Sequence, residues 1–184
     1  MITANFSEEE NLRDAAAAAA LWRTVAECPR PVVARVHGNA FGGGAGLVAA
    51  SDIAVAAESA MFGFTEVRLG LLPATVAPHA IEKIGPGRAL PLFLTGERFD
   101  AERALRIGLV HHIAADVDDI VKLLMTSGPE AVRECKKLIA HVAAGDLTEA
   151  VPYTIEAIAA RRVSEEGQAG MQAFLKKEKA PWLP

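Results

Sequence analysis

The chain has 184 residues, 51% of them apolar and 23% charged, with a formal net charge of −4. That length supports one ordinary domain with a sizeable core, and the balance excludes a disordered tail. The mild acidity excludes nucleic acid as the main partner, because phosphate binding needs a basic surface.

Ser7 followed by Glu10 reads as a capping box, and the Ala- and Leu-rich run Glu8 to Glu27 behind it as a long first helix. The Ala15–Ala20 run has charged residues at its flanks and is too short for a bilayer, so no membrane span is expected. Pro29 and Pro31 end this helix, and Val32-Val33-Ala34-Arg35-Val36 reads as a largely buried strand. His37-Gly38-Asn39 punctuates, and a helix of small residues is expected from about Gly43 to Ala50. Asp52 to Ala56 and Met61-Phe62-Gly63 read as short strands, and Thr65 to Gly70 as a helical turn. Helices are expected over Ala74 to Ile84 and Arg88 to Leu94, then another from Asp100, its N-cap, to Gly108. Leu109 to Ile113 reads as strand. From Val117 onward the chain reads as helical, with breaks near Gly128-Pro129, Gly145 and Gly167. Strands therefore alternate with helices early and vanish late: an α/β region over 1–115, then an α-helical region over 116–184.

Cys28 and Cys135 stand far apart, outside any metal spacing, and read as two reduced, buried thiols in a cytoplasmic protein. His111 and His112 close a strand with no third ligand in step, so no metal site is expected.

Strand, glycine-rich turn, helix is an arrangement that holds negative charge, since bare backbone approaches the ligand and free N–H groups point at it. Three readings apply to His37–Gly46. Gly44-Ala45-Gly46-Leu47-Val48-Ala49 matches the dinucleotide pattern G-x-G-x-x-A, with Glu66 twenty residues beyond Gly46. Against it, the glycines start too far after Val36, and Glu66 lies well past the second strand. The glycines could instead serve only close packing of helix on strand. The third reading is an oxyanion hole, in which backbone N–H stabilises the anion formed from a thioester carbonyl.

The third reading has the longest support. Val36-His37-Gly38-Asn39-Ala40-Phe41-Gly42-Gly43-Gly44-Ala45-Gly46-Leu47, then Ser51 to Ala56, then Phe62-Gly63-Phe64-Thr65-Glu66-Val67-Arg68-Leu69-Gly70-Leu71-Leu72-Pro73, resembles the enoyl-CoA hydratase/isomerase (crotonase) superfamily. Leu94 to Ala101, Ala104 to Val110 and Glu166 to Phe174 follow in the same order. The resemblance implies a crotonase-like ββα spiral core, N-terminally truncated, over 1–115, and a helical trimerisation region over 116–184. It implies an acyl-CoA lyase working on the CoA thioester itself, with no metal or redox cofactor, as a homotrimer or hexamer. By matching positions, Gly43 gives an oxyanion N–H and Glu66 is the acid–base carboxylate, with Phe41 and Gly42 beside the substrate. Typical hydratases carry a second glutamate where this chain has Gly46, so a one-base double-bond isomerase is the alternative activity. Full-length members also have a further N-terminal portion, with a second oxyanion N–H, before the position matching Met1. An inactive fragment or structural relative is therefore a third possibility. The wording around Thr65–Ala74 resembles the methylglutaconyl-CoA hydratase-like branch of leucine catabolism. Its substrate has a distal carboxylate, for which Arg68 and His79 are candidates, and Lys177 near the C-terminus is a candidate for the CoA phosphates.

Overall fold

The computed structural model describes residues 7–183, so the expectation attached to Met1 lies outside the described residues. Contacts divide them into two compact units, one of residues 7–28 and 32–117, the other of 29–31 and 118–183.

The first unit opens with helix α1, Glu8–Ala26, and the capping box forms in full. The Ser7 hydroxyl accepts from the Glu10 N–H, and the Glu10 carboxylate accepts from the Ser7 N–H at 2.7 Å. Its alanine-rich body faces water on most sides, and Trp22 is its buried residue.

Two small sheets follow. Strand β1, Val33–Val36, runs parallel to β3, Ile53–Ala56, and β6, His112–Ile113, lies parallel on the other edge of β3. β1 is thus an edge strand among the described residues, half-buried with Arg35 exposed, and not the largely buried strand its composition suggests. The second sheet joins β2, Ala40–Phe41, parallel to β4, Met61–Gly63, which is antiparallel to β5, Phe99–Asp100. β2 and β5 are too short for side-chain alternation to betray them. β6 is shorter than expected because Leu109 and Val110 are buried in the core as a turn off the preceding helix.

Helices α2 (Gly43–Ala50) and α5 (Ala101–Ile107) pack on these sheets, α3 (Ala77–Ile84) packs on α2, and α4 (Pro86–Thr95) packs on α3 and on a 3₁₀ turn that spans Glu66–Leu69. Asp100 caps α5 through the Arg103 N–H, as its position predicts. α3 starts at Ala77, later than the apolar pattern suggests, because Pro73 and the turn after it take the preceding residues. Phe62, Phe64, Leu92, Leu109 and Val76 fill the core, with Phe62 and Phe99 stacked at 5.9 Å across β4 and β5. α2 lies between α1, α3 and the strands, and its Ala, Gly and Val residues allow that close approach.

The second unit holds α6 (Asp118–Met125), α7 (Pro129–Ala144), α8 (Leu147–Val163) and α9 (Glu165–Lys176). The break before α9 falls at Ser164, whose hydroxyl accepts from the Gly167 N–H, so Gly167 sits inside the helix rather than ending one. Glu166 reaches across to cap α7, accepting from the Glu130 and Ala131 N–H groups and from Arg161, each at 2.8 Å. Both cysteines are free; Cys28 is half-buried, but Cys135 is exposed on α7 and not buried as its residue type suggests.

Candidate functional site

The glycine turn sits where β2 passes into α2. Gly42 has φ 52° and ψ −118°, a left-handed geometry open to glycine, and its N–H donates to the Gly63 carbonyl at 2.9 Å. This bond ties the turn to β4. Gly42 is the N-cap of α2 and has no side chain to cap with, so nothing of that kind covers the first N–H groups of the helix. Gly43, the first helical residue, is exposed. An uncapped, exposed helix start gives oriented N–H donors and the positive end of the helix dipole.

Glu66 comes to the same turn from the other side. A Cβ on Gly42 would stand 3.2 Å from Glu66 Oε1. The 3₁₀ turn that carries Glu66 is fixed by Gly70, left-handed at φ 72°, whose N–H bonds back to Glu66 and Val67. Glu66 Oε2 is buried, with no hydrogen-bond partner among the described residues. An unsatisfied buried carboxylate oxygen is costly to fold in, which marks it as a group set aside for something other than stability. Chemically, the pair offers N–H donors for a developing oxyanion and, beside them, a carboxylate able to take and return a proton.

Gly46 explains why only one carboxylate is present. A Cβ there would lie 2.5 Å from Val76 Cγ1 and 3.5 Å from Trp22 Cε2. Val76, buried at the start of α3, fills the space a longer side chain at 46 would need. Gly44, Ala45 and Gly46 are therefore inside the helix and serve packing, and the dinucleotide reading fails on geometry.

Phe41, Gly42, Gly43 and Glu66 are brought together. Arg68 is exposed on the 3₁₀ turn and lies against Gly96 and near Glu97, away from a free role. Glu97 in turn bonds Arg103 at 2.8 Å, which holds its carboxyl below the usual range. His79 is half-buried in the first turn of α3, one helical turn on from Val76. Lys177 is exposed at the C-cap of α9 in the second unit, with φ 59°. Two residues escaped the sequence reading. Arg98 rests its guanidinium 4.6 Å above the Phe41 ring, with no carboxylate paired to it among the described residues. Trp22 packs on Gly43 and Gly46 from α1. Neither carries a spacing signal, since each reaches the turn from a distant stretch of sequence.

Among the described residues no cluster of three or more His, Cys, Asp or Glu could hold a metal ion, and no helix is long and apolar enough to cross a membrane.

The enoyl-CoA hydratase/isomerase family model matches residues 3–183. Crotonyl-CoA hydratase of Syntrophomonas wolfei is 31% identical over 170 residues, covering 89% of this chain. Short-chain-enoyl-CoA hydratase of Clostridium acetobutylicum is 30% identical over 166 residues, covering 86%. The chain spans 65% and 64% of those two relatives' lengths. A crystal structure from Legionella pneumophila, assigned to the enoyl-CoA hydratase/isomerases (crotonases), superposes with a TM-score of 0.91 at 45% identity. That match covers 97% of this chain and 72% of the other. The α/β arrangement with its helical C-terminal region is thus the crotonase fold, and the chain belongs to the enoyl-CoA hydratase/isomerase family.

Proposed function

We propose that the chain hydrates an enoyl-CoA thioester at the Gly43–Glu66 site, with 3-methylglutaconyl-CoA as the substrate. The observation that carries this is Glu66 Oε2, buried and unpartnered beside the uncapped start of α2. The thioester oxygen accepts from the Gly43 N–H. Glu66 takes a proton from a water; the water oxygen bonds to C3, and the C2=C3 electrons move into the thioester as an enolate. Glu66 then returns the proton to C2, closing the balance with no added oxidant, metal or redox cofactor. A distal carboxylate on the acyl group would find positive charge at Arg98, held on the Phe41 ring next to the turn. Arg68 is the weaker candidate, because Glu97 already faces it.

The C-terminal helices support assembly into a homotrimer or hexamer. Leu147, Val151, Ile155 and Ile158 form an exposed apolar stripe along α8 at helical spacing. Free cysteines fit a reducing compartment such as the cytoplasm.

One observation favours a second reading. With Gly46 in place of a carboxylate, the site has a single base, which is all that moving a double bond from C3 to C2 requires. Incubation with 3-methylglutaconyl-CoA and, separately, with a 3-enoyl-CoA separates the two. Hydration removes conjugated absorbance from the first; isomerisation generates it from the second.

A further inference from the structure

The two ends of α2 are finished differently. Its start, which carries the Gly43 N–H, has no side-chain cap. Its other end is closed. The Ser51 N–H donates to the Leu47 carbonyl at 3.1 Å, and the Ser51 hydroxyl to the Val48 carbonyl at 2.8 Å. The Ser51 carbonyl accepts from the ammonium of Lys83, which comes across from the last turn of α3. Ser51 is 3% exposed, so without that donor its carbonyl would be left unpaired in the core. Lysine is a costly choice for such a place, because it is seldom taken out of water unless paired. Burial pulls the Lys83 pKa below the ordinary lysine value, and the charges of Asp52 and Glu82 act against that. Asp52, in the turn between α2 and β3, accepts from the Val32 N–H at 2.7 Å. His111, just ahead of β6, is the remaining titratable group that feels the Lys83 charge.

α3 therefore grips α2 at two levels. Val76, its N-cap, packs against Gly46 in the middle of α2, and Lys83 holds the C-cap. The Lys83 charge also meets the negative end of the α2 dipole. An eight-residue helix is about 12 Å long, so a small tilt at its held end displaces the donors at its start. We infer that Lys83 is a positioning residue for the oxyanion site: it anchors the far end of α2 and so sets where the Gly43 N–H points. The inference rests on the hydratase reading above, in which that N–H binds the thioester oxygen. It adds the group that keeps the donor in place. Lys83 touches no substrate and moves no proton; it acts through Ser51 and the helix.

The thioester carbonyl itself reports on this. Butyryl-CoA has no C2=C3 bond to hydrate, and a ¹³C label on its thioester carbon isolates its C=O stretch in infrared difference spectra. A carbonyl that accepts from aimed N–H groups stretches at lower frequency, so binding to wild type is expected to lower it. Lys83→Met keeps an unbranched stem but removes the donor and the charge. It is expected to lose about half of that lowering and to reduce kcat for enoyl-CoA hydration about tenfold, with little change in KM. Lys83→Arg keeps both donor and charge and is expected to recover both readouts. In wild type the lowering should shrink as pH rises through the depressed Lys83 range, and in Lys83→Arg it should persist. A wild-type stretch and kcat in Lys83→Met, whatever its melting temperature, overturn the inference and leave the hydratase reading intact. Where Lys83→Met folds poorly, the alkaline profiles decide, and parallel profiles for wild type and Lys83→Arg overturn it. If wild type neither lowers the stretch nor hydrates any enoyl-CoA, the hydratase reading falls and this inference with it.

Discussion

In the proposed reaction Glu66 is the one base and Gly46 leaves no room for a second, and both roles are matters of contact distance. Glu66 stands against Gly42 with one oxygen unsatisfied, so removing its charge costs no hydrogen bond within the described residues at that atom. Glu66→Gln is therefore expected to leave the melting temperature close to wild type and to lower hydration by 10² to 10⁴-fold, roughly the worth of a positioned acid–base group. Equal loss of stability and activity would instead mark Glu66 as structural. Gly46 is a packing residue. Gly46→Ala puts a methyl 2.5 Å from Val76 Cγ1, and overpacking of this kind costs about 1–3 kcal/mol. Denaturant unfolding should show that loss and show Val76→Ala restoring most of it in the double variant; independent, additive effects would refute the contact. At this scale the sequence was legible wherever motif wording fixed position. Gly42, Gly43 and Glu66 belong to consecutive patterns and converge in the fold. Trp22 and Arg98 were not legible, because what places them is tertiary packing of α1 and of the loop before β5.

Elements with local end signals were read well from sequence, and those defined by partners were not. Ser7 and Glu10 state the start of α1, and Asp100 and Gly108 bound α5, because capping is chemistry within one turn. β2, β5 and the true length of β6 depend on hydrogen bonds to distant strands, which leave no trace in two residues. The junction of β3 and β6 shows how such a pairing is made. The His111 N–H donates to the Ala54 carbonyl at 2.8 Å, and the Ala54 N–H donates back to His111 Nδ1 at 2.9 Å. The side chain thus stands in for a backbone acceptor and must be unprotonated at that nitrogen. Burial, then the nearby Lys83 and His112, hold the His111 pKa below its usual value. Lys83, itself lowered by burial, faces Asp52 and Glu82 and donates to the Ser51 carbonyl. With the folded-state value depressed, the unfolded chain binds the proton first. The contribution of His111 is then complete above its ordinary range near pH 6.5 and is lost as pH falls toward the lowered value. Because the ring is partly exposed, the effect is modest. His111→Asn, whose Oδ1 accepts without titrating, should flatten the fall of melting temperature between about pH 7 and pH 5 relative to wild type. Parallel pH profiles for the two proteins would contradict this role.

At the scale of the molecule, the change from α/β to helical near residue 115 was visible because strand patterning stops there, and contacts place the division after Val117. What the sequence did not disclose is how little each helix of the second unit buries. Ala150 and Ala173 are its buried hydrophobics among the described residues, while Leu147 and Val163 are each 78% exposed and Phe174 82%. Surfaces of that kind associate. Light scattering is expected to find an oligomer, and Ile155→Glu with Ile158→Glu to release a smaller species; a monodisperse wild-type monomer would contradict the assembly. The activity proposed for the first unit is tested most directly by following conjugated absorbance during incubation of 3-methylglutaconyl-CoA with the wild-type chain and with Glu66→Gln. Loss of absorbance is expected with wild type, slowed at least about 100-fold in the variant. Undiminished turnover in Glu66→Gln, or no loss of absorbance with wild type alongside its gain from a 3-enoyl-CoA, would contradict it.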